Sequence, residues 1–233
     1  MPGILITGAG RGFGRHLMDV YVERGWTVFP LVRDAGVAAK IRFAHGESCH
    51  PIVSDVTSDE VGREVAAVVS RHAESLDVLV NNAGTIRKLR GLENATPGDL
   101  EEQFNVHCAG ALRCVKAALP FLRKAHRGII ANITSRWGSI GRTVDGMGGG
   151  IYSYQIAKCA QNMLSACLDL EFGPQGIRVF AIHPGKLMTE VAAADADTPP
   201  REAAVRFADW VEACGNGAPC GIHDLTGGGL IAW

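Results

Sequence analysis

Short, nearly unbroken apolar runs alternate along this chain with longer segments whose apolar residues recur every three or four positions. The runs are 3–7 (GILIT), 26–32 (WTVFPLV), 50–53 (HPIV), 77–81 (DVLVN), 127–134 (RGIIANIT) and 176–182 (GIRVFAI). Runs this short and this apolar read as strands covered on both faces, not strands with one wet face. Segments near 13–24, 58–74, 97–124 and 152–173 read as helices. In the longest, Leu100, Phe104, Ala111, Val115, Ala118 and Leu119 form an expected buried stripe, and Pro120 is expected to end or kink it. Strand and helix in alternation predict βαβ units, hence an α/β fold: a doubly wound parallel sheet of about seven strands with helices on both faces. Pro30 is awkward there. The second strand of such a sheet is interior, where a missing N–H costs a ladder bond, so either the strand is short or its neighbour has diverged at that point.

The stretch 186–220 is rich in Ala, Asp and Pro. It predicts helices near 189–194 and 201–214, with a junction at Thr198-Pro199-Pro200, then a last strand near 220–225 and a closing tail, Gly227–Trp233. No repeat, charged tail or low-complexity linker divides the chain. The expected organisation is one domain, 1–233, with a variable substrate-loop region at about 186–218.

Charge narrows the function. With 23 Lys+Arg against 24 Asp+Glu and a net charge of −1, the chain lacks the positive surplus that nucleic acid or an anionic membrane surface requires. Its seven cysteines, at 49, 108, 114, 159, 167, 214 and 220, are odd in number, form no CxxC pair and have no zinc spacing, so no metal site is expected. The opening run Gly3–Thr7 leaves no room for a signal peptide, and no uncharged stretch approaches the ~18 residues of a membrane span. A soluble, reduced, cytoplasmic protein is expected. Glycine is abundant, 29 of 233 residues, against roughly 7% in average proteins. That excess points to backbone needing positive φ or close approach to a ligand.

The first strand leads directly into Thr7-Gly8-Ala9-Gly10-Arg11-Gly12-Phe13-Gly14 and then a helix. Strand, glycine turn and helix N-terminus together can hold a pyrophosphate. Further on come Asp55 after the third strand, Asn81-Asn82-Ala83-Gly84 ending the fourth, and Asn105 in the long helix. Ser135 ends the fifth strand, Tyr154 and Lys158 open the next helix, and Pro184-Gly185 with Thr189 follow the sixth. TGxxxGxG, NNAG, Ser and YxxxK in this order, at element ends, resemble the short-chain dehydrogenase/reductase family across nearly the whole chain. Its length and its tail, Gly229–Trp233, are similar to the compact carbonyl reductases of the C-factor type.

The resemblance implies a Rossmann-type fold and a set of roles. Thr7, Gly8, Gly10, Arg11, Gly12, Phe13 and Gly14 would form the pyrophosphate turn, and Asp55 with Val56 would meet the adenine. Asn82, Ala83 and Gly84 would pass beneath the adenine ribose. Tyr154 and Lys158 would approach the nicotinamide ribose, and Pro184, Gly185 and Thr189 the carboxamide. The family's acid for a free 2′-hydroxyl is replaced by Val32, followed by Arg33. Arg33 and Arg11 point to NADP(H) over NAD(H), since Arg clamps a phosphate. Both could also be surface charges, and Asp34, one residue late, has an alternative use as a helix cap.

Tyr154 and Lys158, at i and i+4, share a helix face. A phenol with pKa near 10 needs a nearby cation to work at neutral pH. Tyr154 would then be the general acid/base, with Ser135 holding the substrate oxygen where charge develops. In the family, Asn105 would hold a water linking Lys158 to solvent. The expected reaction is hydride transfer between the dinucleotide and a small carbonyl or alcohol substrate; a non-catalytic dinucleotide-binding regulator is the alternative on the same fold. Substrate-side candidates are Arg136, Trp137, Arg142, Met147, Tyr152, Lys186, Leu187 and Met188. Arg87, Lys88 and Arg90 form a basic cluster after NNAG, read as a solvated loop, and His183 reads as a packed histidine. Ser135 and Tyr154 are separated by a longer gap than family members show, the excess being the Gly-rich 145–150, expected as a substrate wall. The resemblance implies a homodimer or homotetramer, since in the family the helices carrying Asn105 and Tyr154 pair across a twofold axis; core burial explains their apolar faces equally well.

Overall fold

The computed structural model describes residues 1–233 apart from 88–89, 191–194 and 214–216. Strands β1 (Gly3–Thr7), β2 (Thr27–Val32), β3 (Ile52–Val53), β4 (Val78–Asn81), β5 (Gly128–Ile133), β6 (Ile177–His183), β7 (Ile222–Asp224) and β8 (Leu230–Ile231) form one sheet in the order β3-β2-β1-β4-β5-β6-β7-β8. The pairings from β3 to β7 are all parallel. Connecting helices are α1 (Gly12–Glu23), α2 (Ala35–His45), α3 (Val61–His72), α4 (Pro97–Phe104), α5 (Gly110–Leu122), α6 (Ile140–Val144), α7 (Tyr152–Phe172) and α8 (Pro200–Ala213). This is the doubly wound α/β arrangement, with an eighth strand where about seven were expected. β8 runs antiparallel to β7. The chain reverses before it through Gly228 and Gly229, both at positive φ, so two residues of the tail reach the sheet edge.

Each strand buries alternate residues in two different cores, which is why the runs are apolar throughout. Ile4, Ile6, Val80 and Ala131 face Leu17, Tyr21 and Phe207 of α1 and α8. Leu5, Leu79, Ile130 and Val179 face Val65, Val115 and Leu168 of α3, α5 and α7. Pro30 fits because its missing N–H lies toward β3. The carbonyls of Val28 and Val32 face that side, accepting from His50 and Ser54. Between the Val28–Cys49 bridge and the Leu31–Ile52 pair, the opposing chain supplies no ladder rung.

The segment 97–124 departs most from expectation. It is two helices joined by a π-helical turn, Asn105–Ala109, closed by the Gly110 N–H donating to the Asn105 carbonyl. The face α4 buries is polar: Asp99, Gln103 and then His107 of the turn, while Phe104 is exposed. The expected stripe holds only beyond the turn, at Ala111, Val115 and Ala118. Pro120 sits in the last turn of α5, which ends two residues on. The helix expected near 189–194 falls mostly on 191–194, outside the described residues. No described helix is long and apolar enough to cross a membrane.

Candidate active site

The chain order reverses between β1 and β4, so their carboxyl ends open a crevice. Thr7 ties its two walls together. Its hydroxyl oxygen accepts from the backbone N–H groups of Asn82 (3.0 Å) and Ala83 (2.9 Å). Asn82 Nδ2 donates back to the carbonyls of Thr7 (2.9 Å) and Gly8 (3.3 Å). The glycines are needed for that closeness. A Cβ on Gly14 would sit 2.4 Å from Asn82 Nδ2 and 2.5 Å from the Gly8 carbonyl oxygen, and Gly8 (φ +67) lies against Ala83. Gly10 is under no such pressure, its nearest neighbour being Val37 at 3.4 Å. The Phe13 side chain turns into the core against Phe207, which leaves only its backbone at the turn. α1 starts without a side-chain cap or an acidic residue in its first turn. Its first N–H groups therefore suit an anion. Thr189 closes the cradle from above, its methyl 3.5 Å from where a Gly12 Cβ would lie. A dinucleotide pyrophosphate fits this set.

After β3, Asp55 accepts from the Thr57 N–H (2.8 Å) and hydroxyl (2.7 Å) and faces Arg33 at 3.8 Å. Partial burial pushes its carboxyl up, but the Thr57 bonds and the Arg33 charge together hold it below the ordinary range. Val56 is buried. Asp34 caps α2, accepting from the Val37 N–H at 2.8 Å. Arg11 pairs with Glu190 at 2.9 Å in the loop after β6, both side chains exposed.

Ser135, Tyr154 and Lys158 come together at the end of β5 and the start of α7. The Ser135 oxygen accepts from the Trp137 N–H (3.2 Å), and the serine lies close enough to Tyr154 to favour its phenolate. Lys158 is buried, donating to the Ile133 carbonyl (2.7 Å) and Gln161 Oε1 (2.9 Å), with Nζ 5.8 Å from the centre of the Tyr154 ring. Gly138 packs so tightly on Lys158 that a Cβ would lie 2.7 Å from its backbone. Burial pushes the lysine down to about 7. Burial also pushes the Tyr154 phenol up to about 12, the Ser135 contact opposing it. The expectation of a phenol made acidic by its lysine therefore does not describe the chain alone. Desolvation outweighs the Ser135 contact, and an oxidised nicotinamide would supply positive charge that favours phenolate.

The Asn105 Oδ1 accepts from Arg113 at 3.0 Å, and Arg113 also binds Asp59. The π-turn that begins at Asn105 also delivers His107, which sequence reasoning missed. Its ring lies edge-on to Tyr154, centroids 5.5 Å apart at 83°. Gly84 is small for the same reason, since a Cβ there would come 2.7 Å from His107 Cε1. Also unread were the polar residues behind the site: Asn81 donates to Asn132 (2.8 Å), Asn132 to Ser165 (2.8 Å), and Thr134 to Asn162 (2.6 Å). Gln161 and Asn162, three and four positions after Lys158, were the available signal.

On the substrate side, Trp137 stands edge-on to Tyr154 at 6.4 Å, and the Arg90 guanidinium lies 5.7 Å from the indole centre. Arg90 donates to the Gly149 carbonyl (2.9 Å), and the Gly91 N–H to Gly150 (3.1 Å). The Gly-rich 145–150 is thus fastened to the loop after β4. Met147, Tyr152 and Met188 are exposed. Arg87 binds Asp99 and Glu102, and Lys186 binds Asp195, while Lys88 is outside the described residues. Gly185 (φ +110) presses on Thr198 and Thr226. His183 is buried, and burial pushes it down to about 4. Among the described residues no cluster of three His, Cys, Asp or Glu could hold a metal ion.

A Rossmann crevice with a glycine cradle at one end and a Ser–Tyr–Lys group at the other defines a dinucleotide-dependent oxidoreductase. The short chain dehydrogenase family model matches residues 3–200, and the chain belongs to that family. It is 34% identical over 188 residues to 3-ketodihydrosphingosine reductase of Bacteroides thetaiotaomicron, covering 80% of this chain and 64% of that protein, so it spans less than two thirds of that relative's length. It is also 34% identical over 124 residues to C-signal of Myxococcus xanthus, covering 53% of this chain and 73% of that one. Among solved structures, the NADPH-bound carbonyl reductase from chicken fatty liver superposes with a TM-score of 0.90 at 25% identity, covering 100% of this chain and 99% of that chain.

Proposed function

We propose that this chain transfers hydride between NADP(H) and a small carbonyl or alcohol substrate, with Tyr154 as general acid/base. The observation that carries the reading is the Tyr154 phenol, close to Ser135 and one turn from the buried Lys158, at the crevice that the glycine cradle opens. In the reducing direction, Tyr154 gives its proton to the carbonyl oxygen as charge develops there, while Ser135 donates to the same oxygen and fixes its position. Lys158, held by Ile133 and Gln161, keeps a positive group beside the phenol. Tyr154 and Lys158 would hold the cofactor's ribose, and the nicotinamide would supply or accept the hydride. Trp137, Met147, Tyr152 and Met188 give the substrate side an apolar character suited to a ketone with hydrocarbon bulk.

Preference for NADP(H) over NAD(H) is supported by Val32 in place of an acid, by Asp34 being spent on the α2 cap, and by Arg33 standing exposed beside Asp55. Arg11, the second arginine read toward that phosphate, pairs with Glu190 at the surface. One domain carries the whole activity, in a cytoplasmic homodimer or homotetramer. The test is nicotinamide absorbance against a panel of ketones and aldehydes with each cofactor. Turnover is expected with NADPH in excess over NADH, and Arg33→Asp is expected to shift the ratio toward NADH about tenfold or more, the scale of one charged hydrogen bond. An unchanged ratio removes Arg33 from cofactor recognition.

A further inference from the structure

A cavity of about 330 Å³ lies at the carboxyl ends of β6 and β7, and the proposed reaction leaves its side chains without a task. Arg136 enters it from the loop that begins at Ser135, and His183 from the last position of β6. Glu202 and Arg206 of α8 close the far side. The Thr134 N–H donates to the Ile182 carbonyl (2.8 Å), which holds the ends of β5 and β6 level. Pro199 is the one apolar residue on the wall among the described residues, so the cavity suits a polar group.

The polar groups of that wall are unevenly satisfied. Its acceptors are filled. Asp224 accepts from the Thr226 N–H (2.9 Å) and hydroxyl (2.7 Å), and Asp197 from the Thr198 hydroxyl (2.8 Å). Glu202 lies 3.5 Å from Arg206, and Asp195 takes Lys186 at 2.9 Å. The nitrogens are not filled: Arg206 Nε and His183 Nδ1 are buried with no partner among the described residues. The half-buried Arg136 guanidinium has neither an ion pair nor a hydrogen bond among those residues. Burial pushes His183 down to about 4, and the charges of Arg136 and Arg142 add to that effect against the charge of Asp224. The imidazole is therefore neutral, and both guanidiniums lie close enough to it to be felt. Spare donors beside filled acceptors suit an anion.

We propose that the carbonyl substrate is an oxo acid whose carboxylate binds the Arg136 guanidinium in this cavity while its carbonyl oxygen lies on Ser135 and Tyr154. The inference rests on the assignment of those last two residues to the reaction and adds a substrate class to it. Ser135 and Arg136 are consecutive, so one stretch of loop holds both polar ends of a small molecule. An arginine fork matches a carboxylate with two parallel hydrogen bonds. One unpaired guanidinium on the wall balances one negative charge, and Asp197, Glu202 and Asp224 would repel the second charge of a phosphate ester. The hydrocarbon part of the acid lies toward Trp137, whose ring stands edge-on to Tyr154. The carboxylate stays ionised and forms no covalent bond.

The test uses the enzyme saturated with NADPH and short oxo acids, each paired with its methyl ester. The acid is expected to exceed its ester in kcat/KM by about tenfold or more, the scale of a charge-assisted hydrogen bond, with the difference in KM. Arg136→Gln is expected to bring that ratio near unity, and Arg136→Lys, which keeps the charge without the fork, to leave it intermediate. A wild-type enzyme that reduces ester and acid equally overturns the proposal. So does an Arg136→Gln variant that slows both and keeps the ratio, which assigns the arginine to shaping its loop. A ketone phosphate preferred over the oxo acid overturns the choice of carboxylate. Should the variants not fold, inhibition of neutral-ketone reduction by saturated carboxylic acids and by their amides decides with wild type. Competitive inhibition about tenfold tighter by the acids is expected, and equal inhibition overturns the proposal. Failure of the underlying reading is distinct, showing as no turnover of any carbonyl, neutral or acidic, or as a Tyr154→Phe variant with full activity.

Discussion

Lys158 sits where an ammonium is costly and where the reaction needs one. Burial takes it from an ordinary 10.5 down to about 7, while the unfolded chain keeps the ordinary value. Between those two pH values the unfolded state binds one more proton than the folded state, so this residue makes folding stability rise with pH through that window. Below about 7 both states are protonated, and the burial penalty is present in full. The expected outcome is that Lys158→Met, compared with wild type by urea denaturation of the cofactor-free protein at several pH values, is relatively most stable near neutrality and loses that advantage toward pH 10. A wild-type-to-variant difference independent of pH would contradict the assignment of a desolvated lysine. Tyr154 contributes in the opposite sense only above its ordinary value of 10, since its phenol is raised to about 12. The residues of the glycine turn, the Ser, the Tyr and the Lys were legible in the sequence because each occupies an element end that the apolar pattern marks. His107 was not legible. Only the backbone path of the turn brings its ring against the phenol.

At the level of elements, the strands were readable because two-sided burial leaves an unmistakable apolar run, and α1, α3 and α7 were readable for the related reason of one apolar face. The pattern failed where burial is polar. α4 turns Asp99 and Gln103 inward and leaves Phe104 exposed, so apolar periodicity pointed to the wrong face. The π-turn then resets the helical phase, which a regular 3.6-residue template cannot register. β8 escaped because two residues behind a glycine reversal carry no periodic signal. The Gly-rich segment 145–150 was visible as an insertion, but not its attachment to Arg90 and Gly91. That attachment, with Arg90 over the Trp137 ring, sets the segment beside Trp137, and Trp137 stands edge-on to Tyr154. Removing 146–149 is expected to raise KM for bulky ketones at least several-fold, with NADPH affinity unchanged by fluorescence titration. Loss of NADPH affinity, with KM unaltered, would detach the segment from the substrate side.

On the scale of the whole molecule, the sheet brings two distant stretches of sequence to one crevice, the glycine turn after β1 and the Ser–Tyr–Lys group after β5. The faces of α4, α5 and α7 away from the sheet leave Phe104, Leu112, Met163 and Leu170 exposed. Apolar side chains on adjacent helices are suited to a twofold interface. Light scattering is expected to give a homo-oligomer, and Met163→Glu with Leu170→Glu to shift it toward monomer; a wild-type monomer at tens of micromolar would refute that assembly.

The claim on which the rest depends is that Tyr154 protonates a carbonyl while hydride reaches its carbon. Single-turnover reduction of an active ketone with NADPH deuterated at C4 tests it directly. The wild-type product is predicted to carry deuterium on the carbinol carbon. Tyr154→Phe is predicted to bind NADPH normally and to transfer deuterium about 10²–10⁴ times more slowly. Transfer at the wild-type rate in Tyr154→Phe, or product without deuterium on that carbon, would contradict the account.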